Sequence, residues 1–416
     1  MFTYPESVRF LYELGNEIKT AKLGLERIRA VLDALGQPQR AFRIVHVAGT
    51  NGKGSTCAMI ESGLRAAGIR TGLFTSPHLI EPTERIQIDG IPVTPAQFLR
   101  AFETVHLAAE RCALDYHPTY FETVTAMAFW IFRELSVETA VIETGLGGRL
   151  DATNVVEPAI TVITPIDFDH EMYLGHTLEA IAGEKAGILK RGVPAVFARQ
   201  RPEAEAVLRA RANELEVPVV HAEEFEIENL EIDARGSRFS GLVCPLAGEH
   251  QVENAVTAAL ALIALGAPPQ GIGEARWPGR LEHVAPNPDI ILDGAHNPAG
   301  ARALARYLER FYSGRKIWLV YGAMRDKAID EIAGILFPLA SELIFTAPLS
   351  ERALRPEALV EMAGRGQAVD NIAAALDLLR RRAAEEDLSD DVVVITGSLF
   401  LVGEARAVFQ NSSVAG

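Results

Sequence analysis

Val45-His46-Val47-Ala48-Gly49-Thr50-Asn51-Gly52-Lys53-Gly54-Ser55-Thr56 decides how the chain is read. The apolar, β-branched run Phe42 to Ala48 predicts a buried strand. It breaks into a turn with three glycines, and Ala58, Met59, Ile60, Leu64 and Ala67 then recur at helical spacing. Strand, glycine-rich turn, lysine, hydroxyl and helix is the layout of a phosphate cradle. Glycines let backbone N–H groups converge on phosphate oxygens, and the helix N-terminus adds partial positive charge. Lys53 would reach the outer phosphates, and Ser55 could hold the cation that travels with them. The spacing departs from the common P-loop: two residues, not four, separate Gly49 from Gly52, and Gly54 stands between Lys53 and Ser55. The competing reading is an ordinary strand-to-helix turn with a solvated lysine.

Working outward, further strands are expected at Arg70 to Phe74, Thr139 to Glu143, Ala159 to Thr164, Val193 to Phe197 and Val217 to His221. Helices are expected from Glu6 to Leu35 with a break near Lys22 to Leu25, then over Pro95 to Leu114, Glu122 to Leu135, Leu178 to Leu189 and Gln251 to Leu265. The segment from Thr75 to Pro92 reads as loop, and Phe225 to Leu246 as a small antiparallel excursion. Alternating strands and helices predict a parallel α/β sheet, whose strand C-termini share one edge where ligands bind. Ser55, Ser76, Glu143 and His170 would therefore face one cleft and could bind Mg²⁺ beside a triphosphate. Each has a plainer reading: a turn serine, a solvated acid, a capping histidine.

Gly266 to Pro278, rich in proline and glycine, reads as a linker. Beyond it, Asp289 to Leu292, Ile317 to Tyr321, Glu342 to Thr346 and Val392 to Thr396 predict a second α/β sheet, Rossmann-like in outline but without G-x-G-x-x-G. The expectation is an N-terminal P-loop ATPase-type parallel-sheet domain over 1–277 and a smaller Rossmann-like α/β domain over 278–416. A net charge of −15 argues against nucleic acid held on a general basic surface. No stretch has the ~18 continuous apolar residues of a membrane span, and the N-terminus lacks a signal-peptide run. Cys57, Cys112 and Cys244 are isolated, as in a cytoplasmic protein.

The blocks Gly49–Ser55, Thr75-Ser76-Pro77-His78-Leu79, Glu143–Asn154, Gly183-Glu184-Lys185-Ala186-Gly187-Ile188 and Asp293-Gly294-Ala295-His296-Asn297-Pro298 resemble folylpolyglutamate synthase and the bifunctional dihydrofolate synthase of the Mur ligase superfamily. The resemblance spans about Leu23 to Gly403, and the Glu143–Asn154 block is its most specific part. It accounts for the shortened phosphate loop. It implies that Asn51, Gly52, Lys53, Gly54 and Ser55 bind ATP phosphates, with Asn254, Arg280 and Asp293 also on the nucleotide. It implies magnesium at two sites on Ser55, Ser76, Glu143 and His170. Pteroate or folate would meet Lys22-Leu23-Gly24, Thr119-Tyr120-Phe121-Glu122 and Leu150-Asp151-Ala152. The first of these matches loosely, with Lys22 where bacterial bifunctional members have aspartate. Lys185 matches a lysine that the family carbamylates to N6-carboxylysine, and His296 a residue of the ligation step.

The reaction so implied is attack of a substrate carboxylate on the γ-phosphate of ATP, then capture of the acyl phosphate by L-glutamate. Closure of the second domain would exclude water, with Asp293 facing Lys53, Glu143 and His170. The partners would be small molecules only, namely ATP, folate or dihydropteroate and glutamate, and the family suggests a monomer. Another Mur-type amino-acid ligase and a non-catalytic ATP-dependent switch are the rival readings.

Overall fold

The structure, a computed structural model, describes residues 2–15, 24–112, 114, 116–325 and 327–414. It divides into two units: Met1–Asn229 with Phe239–Cys244 and Gln251–Ala275, and Leu230–Arg238 with Pro245–His250 and Arg276–Gly416.

The first unit carries β1 (Arg43–Ala48), β2 (Thr71–Phe74), β3 (Ile86–Ile88), β4 (Ile91–Pro92), β5 (Thr139–Glu143), β6 (Ile160–Ile163), β7 (Ala195–Phe197) and β8 (Val219–His221). They form one sheet in the order β4-β3-β2-β5-β1-β6-β7-β8. β2, β5, β1, β6, β7 and β8 are mutually parallel; β3 and β4 add an antiparallel edge. The parallel strands β2, β5, β6 and β7 are buried at every residue, as expected where helices cover both faces. Its helices are α1 (Tyr4–Glu13), α2 (Glu26–Ala34), α3 (Lys53–Ala66), α4 (Pro95–Arg111), α5 (Tyr120–Glu134), α6 (Glu171–Leu174), α7 (Leu178–Ala186) and α8 (Pro202–Glu214), with α9 (Glu249–Ala264) beginning at its border. Thr3, Thr94 and Thr119 open α1, α4 and α5 with reciprocal capping boxes to Glu6, Gln97 and Glu122. One face of the sheet lies under a phenylalanine-rich core that includes Phe74, Phe98, Phe102, Phe129 and Phe132.

The second unit contains the paired strands β9 (Glu231–Ile232) and β10 (Ser237–Phe239), the latter ending at its border. After β11 (Leu242–Cys244), a six-stranded sheet follows, built from β12 (Glu282–Pro286), β13 (Asp289–Leu292), β14 (Ile317–Tyr321), β15 (Glu342–Phe345), β16 (Gln367–Ala368) and β17 (Val392–Thr396), in the order β12-β13-β17-β14-β15-β16. β12 alone is antiparallel. α10 (Pro298–Phe311) starts on an Asn297 cap with proline at its first position, as helix starts favour. α11 (Ile329–Leu336), α12 (Pro356–Ala363), α13 (Ile372–Glu385) and α14 (Leu399–Val414) complete the unit.

Three expectations need correction. The stretch from Thr75 to Pro92 is not only loop: Glu81 caps a 3₁₀ turn (Pro82–Arg85) in a reciprocal box with Glu84, and β3 and β4 then extend the sheet. The first lead-in helix ends sooner than expected, α1 stopping at Glu13; the expected interruption is seen at Gly24 and Leu25, which are non-helical before α2 starts at Glu26, and residues 16–23 lie outside the described residues. Gly266 to Pro278 is not a free linker, because Pro269–Glu274 forms a 3₁₀ turn docked on α3. Ser62 Oγ donates to the Gly271 carbonyl at 2.7 Å, and Gly271 sits against Ala66 and Gly63. A Cβ at position 271 would meet the Gly63 Cα at 2.8 Å. Gly271→Ala is therefore expected to destabilise the protein by about 1–3 kcal/mol, the usual range for overpacking. Chemical denaturation measures it, and an unchanged midpoint would show this stretch to be loosely attached.

Candidate active site

The parallel register places the cradle. Val47 pairs with Glu143 on β5, and Ala48 with Ile163 on β6, so the turn after β1 emerges between those two strand ends. This is a sheet edge of the kind where α/β proteins bind ligands. Gly49 has φ +152° and a Cβ there would collide with the Thr164 side chain. Gly52, at φ +81° as the N-cap of α3, lies against Asn254 of α9. Both glycines are thus required by conformation and by close approach. The N–H groups of Thr50 and Asn51 donate to the Pro165 carbonyl at 3.0 and 3.1 Å. The Thr50 hydroxyl donates to the Asp167 carbonyl and accepts from the Asp167 N–H. Lys53 Nζ folds back on the Thr50 carbonyl at 3.2 Å.

Lys185, in the last turn of α7, is buried and donates to the Gly49 carbonyl at 2.7 Å. Burial, with the nearby charge of Lys53, pulls its pKa down from 10.5 to about 7, against the opposing pull of Asp169 and Asp151. The turn after β5 holds α7 in place: the Arg149 N–H donates to the Glu184 carbonyl at 2.7 Å, and Gly187 packs on the Arg149 backbone. That turn is itself organised by Asp151. Its carboxylate accepts from the Gly145, Leu146 and Thr153 N–H groups and from the Thr153 hydroxyl.

Ser55 is buried in the first turn of α3 and receives Gln251 Nε2 at 3.3 Å. Gln251 Oε1 also accepts from Asn254 Nδ2 at 2.9 Å, so one glutamine ties two candidate nucleotide residues together. In the sequence, the signal for Gln251 is its position three residues before Asn254 on one helix. Glu143 Oε2 accepts from the Ser76 N–H at 3.0 Å, joining the ends of β5 and β2. His170 has φ +53° at the start of α6, with Nε2 3.9 Å from Asp169 Oδ2.

The segment Thr119–Glu122 opens α5 beside this edge. Gly145 leaves room for the Phe121 ring, which a Cβ would meet at 2.5 Å. Tyr120 stacks on Tyr12 at 5.7 Å, and the Arg85 guanidinium lies over its ring. Arg27 pairs with Glu122 at 3.0 Å. Arg85 Nε donates to His78 Nδ1, and burial lowers the His78 pKa to about 3, so the neutral ring has Nε2–H to offer Tyr12. Leu150 and Ala152 flank Asp151, Gly24 precedes α2, and Lys22 and Leu23 lie outside the described residues.

Within the second unit, Arg280, Asp293 and His296 gather at the end of β13. Asp293 is buried, accepts from the Leu281 and Ala295 N–H groups, and is pushed up in pKa by that burial although Arg280 opposes it. Arg280 donates to the Gly279 carbonyl, and His296 Nδ1 lies 2.7 Å from the Gly294 carbonyl.

Two family models cover most of the chain: the Mur ligase middle domain over residues 47–262 and the Mur ligase glutamate ligase domain over residues 279–399. The chain is 38% identical to the dihydrofolate synthase/folylpolyglutamate synthase of Mycobacterium tuberculosis, covering 92% of this chain and 90% of that protein. It is 36% identical to the folylpolyglutamate synthase of Lacticaseibacillus casei, covering 97% and 98%. The chain belongs to the folylpolyglutamate synthase/dihydrofolate synthase family of Mur ligases. Among solved structures, the Mycobacterium tuberculosis folylpolyglutamate synthase complexed with ADP superposes with a TM-score of 0.90 at 36% identity, covering 98% of each chain. Escherichia coli FolC in complex with DHPP and ADP superposes at 0.87 with 32% identity, covering 99% of this chain and 100% of that one. As a member of this family the protein is an ATP-dependent ligase. Among its described residues no helix is long and apolar enough to cross a membrane.

In this family member the lysine amine clamping the phosphate loop binds fewer protons folded than unfolded between pH 7 and 10.5. Its burial therefore penalises folding most at low pH and is relieved as pH rises through that window. In CO₂-free buffer, the stability of wild type relative to Lys185→Met should increase from pH 7 toward pH 10, followed by urea denaturation. A difference that stays flat with pH would refute the buried, depressed amine.

Proposed function

We propose that this ligase adds L-glutamate both to dihydropteroate and to reduced folates, through an acyl phosphate. The observation that carries the proposal is the shortened loop Gly49–Gly52, closed by Lys53 and Lys185 between the ends of β5 and β6. The names of the Mycobacterium tuberculosis and Bacillus subtilis relatives pair both activities, and the FolC complex holds DHPP and ADP together.

In this reading Asn51, Gly52, Lys53, Gly54, Ser55 and Asn254 take the nucleotide in the first unit, and Arg280 and Asp293 take it in the second. Lys53 offsets the repulsion between the triphosphate and the substrate carboxylate, a preorganised charge of the kind that lowers acyl-transfer barriers. The carboxylate attacks the γ-phosphate and ADP leaves; the glutamate amine then attacks the acyl carbon and phosphate departs. His296 serves the ligation step.

Ser55, Ser76, Glu143 and His170 form an oxygen-rich donor set with one imidazole, and Glu143 and Ser76 are already linked at the strand ends. That chemistry suits a hard divalent cation. These residues would hold Mg²⁺ at two sites, and the bound ion would supply charge neutralisation at the phosphates. Gly24, Thr119–Glu122 and Leu150–Ala152 would border the pteroate, Asp151 acting by shaping the turn because its carboxylate is engaged within it. Lys22 and Leu23 stay in the proposal on sequence grounds alone. The buried thiols of Cys57 and Cys244, neither of them in a disulfide, support a cytoplasmic setting, and we take the working unit to be a monomer over domains 1–277 and 278–416.

Lys53→Ala is expected to abolish glutamate-dependent ADP release with dihydropteroate or tetrahydrofolate as acceptor. Normal turnover in that variant would sink the cradle assignment, and turnover with neither acceptor in wild type would sink the substrate assignment. Lys185 is proposed to react with CO₂, since only its neutral amine can form a carbamate and the depressed pKa leaves much of it neutral at pH 7. With ¹³C-bicarbonate, a carbamate carbon resonance should appear above neutral pH, fade below it and be missing from Lys185→Met. The same spectrum for wild type and Lys185→Met would rule the adduct out.

A further inference from the structure

A second cluster of metal-ligating side chains lies on the outer side of the first unit's helical layer, and nothing in the ligase reading uses it. His106 and Glu110 are four residues apart on α4, one turn along the same face. His117 reaches them from the segment that joins α4 to α5. A nitrogen from each histidine and a carboxylate oxygen of Glu110 all lie within 4.8 Å of one another. Ligands held about 2.0–2.2 Å from a tetrahedral zinc stand about 3.4 Å apart, so a small movement of the exposed Glu110 head closes the set.

The protonation pattern is the second observation. His117 Nδ1 lies 2.8 Å from the Pro118 carbonyl, which can only accept, so Nδ1 carries the proton and Nε2 presents a lone pair. That Nε2 is buried without a hydrogen-bond partner, and so is Nδ1 of His106. Each unmatched buried polar atom calls for an explanation, and an ion is one of the recognised ones. A carbonyl on the far nitrogen of a ligating imidazole is also the usual arrangement that orients it. Around His106, Phe102 stacks at 5.5 Å and Phe2 and Phe10 present their edges at 5.5 and 5.0 Å, an apolar wall on one side of the set.

We propose that His106, Glu110 and His117 form a zinc-binding site, independent of the catalytic centre, with water in the fourth position. Two imidazoles and one carboxylate suit Zn²⁺ and its probe Co²⁺, whereas Mg²⁺ and Ca²⁺ favour oxygen-only sets. The ion would fasten the C-terminal turn of α4 to the segment that leads into the Thr119 cap of α5. Because Thr119, Tyr120 and Glu122 follow directly, the site would steady the first turn of that helix without touching a reacting atom.

The test is Co²⁺ titration of the full-length, untagged, chelator-treated protein in excess Mg²⁺, read by visible ligand-field absorption and by calorimetry with Zn²⁺. One equivalent with tetrahedral-type absorption is expected. Glu110→Gln and His117→Ala should each weaken it by at least about tenfold, while His170→Ala and His221→Ala should leave it intact. His221 controls for the other candidate cluster, Glu205, His221 and Glu223. Glu110→Gln alters an exposed residue, so it keeps the test sound if His117→Ala fails to fold. Absence of a bound equivalent in wild type overturns the proposal, and so does retention in Glu110→Gln or loss in His170→Ala or His221→Ala. The histidines would then be members of an aromatic cluster only.

Discussion

One hydrogen bond, from the Lys185 amine to the Gly49 carbonyl, joins the parts on which the rest of the site depends. Gly49 can occupy its position only because it lacks a side chain beside Thr164, and Lys185 reaches it only because α7 is pressed onto the turn after β5. Gly148 and Gly187 permit that pressing: a Cβ on either would strike backbone atoms of the facing segment. The turn in turn owes its shape to Asp151, whose carboxylate stands in for the backbone partners that a glycine-rich loop cannot supply itself. Phosphate loop, α7 and the Gly145–Asp151 turn therefore form one cooperative object.

The same arrangement concentrates positive charge in a chain whose net charge is −15. Lys53 and Lys185 share one small region, and each is held by a carbonyl of the loop it faces. Two cations so close would repel in the absence of anions, and burial of one of them is what drives its pKa toward neutrality. The Lys53 cation held at the loop suits a polyanionic ligand, while the Lys185 amine braces the loop from the side of α7.

On the opposite side of β5, the first turn of α5 meets the glycine-rich turn through Phe121 and Gly145, and meets α2 through Glu122 and Arg27. Tyr12, His78, Arg85 and Tyr120 link α1, the Ser76 loop and α5 in a chain of stacked and hydrogen-bonded groups. Segments distant in sequence are thus held together where the resemblance placed a pteroate. Local capping rules explain how each helix starts there, but not which helix it meets.

The sequence by itself determined the strand-turn-helix of the cradle, the two α/β sheets and the family, because these rest on local signals: glycine at forced turns, apolar runs of strand length, and contiguous motifs. Proline and glycine in Gly266 to Pro278 were read as freedom, yet Ser62 and the small surface of α3 order that stretch, and such a partner lies roughly two hundred residues away. Only the tertiary structure decided that Gln251 bridges Ser55 and Asn254, that Asp151 serves its own turn, and that His106, Glu110 and His117 converge. Those facts depend on which side chains meet across the fold, and a side chain's partners are set by packing rather than by its neighbours along the chain.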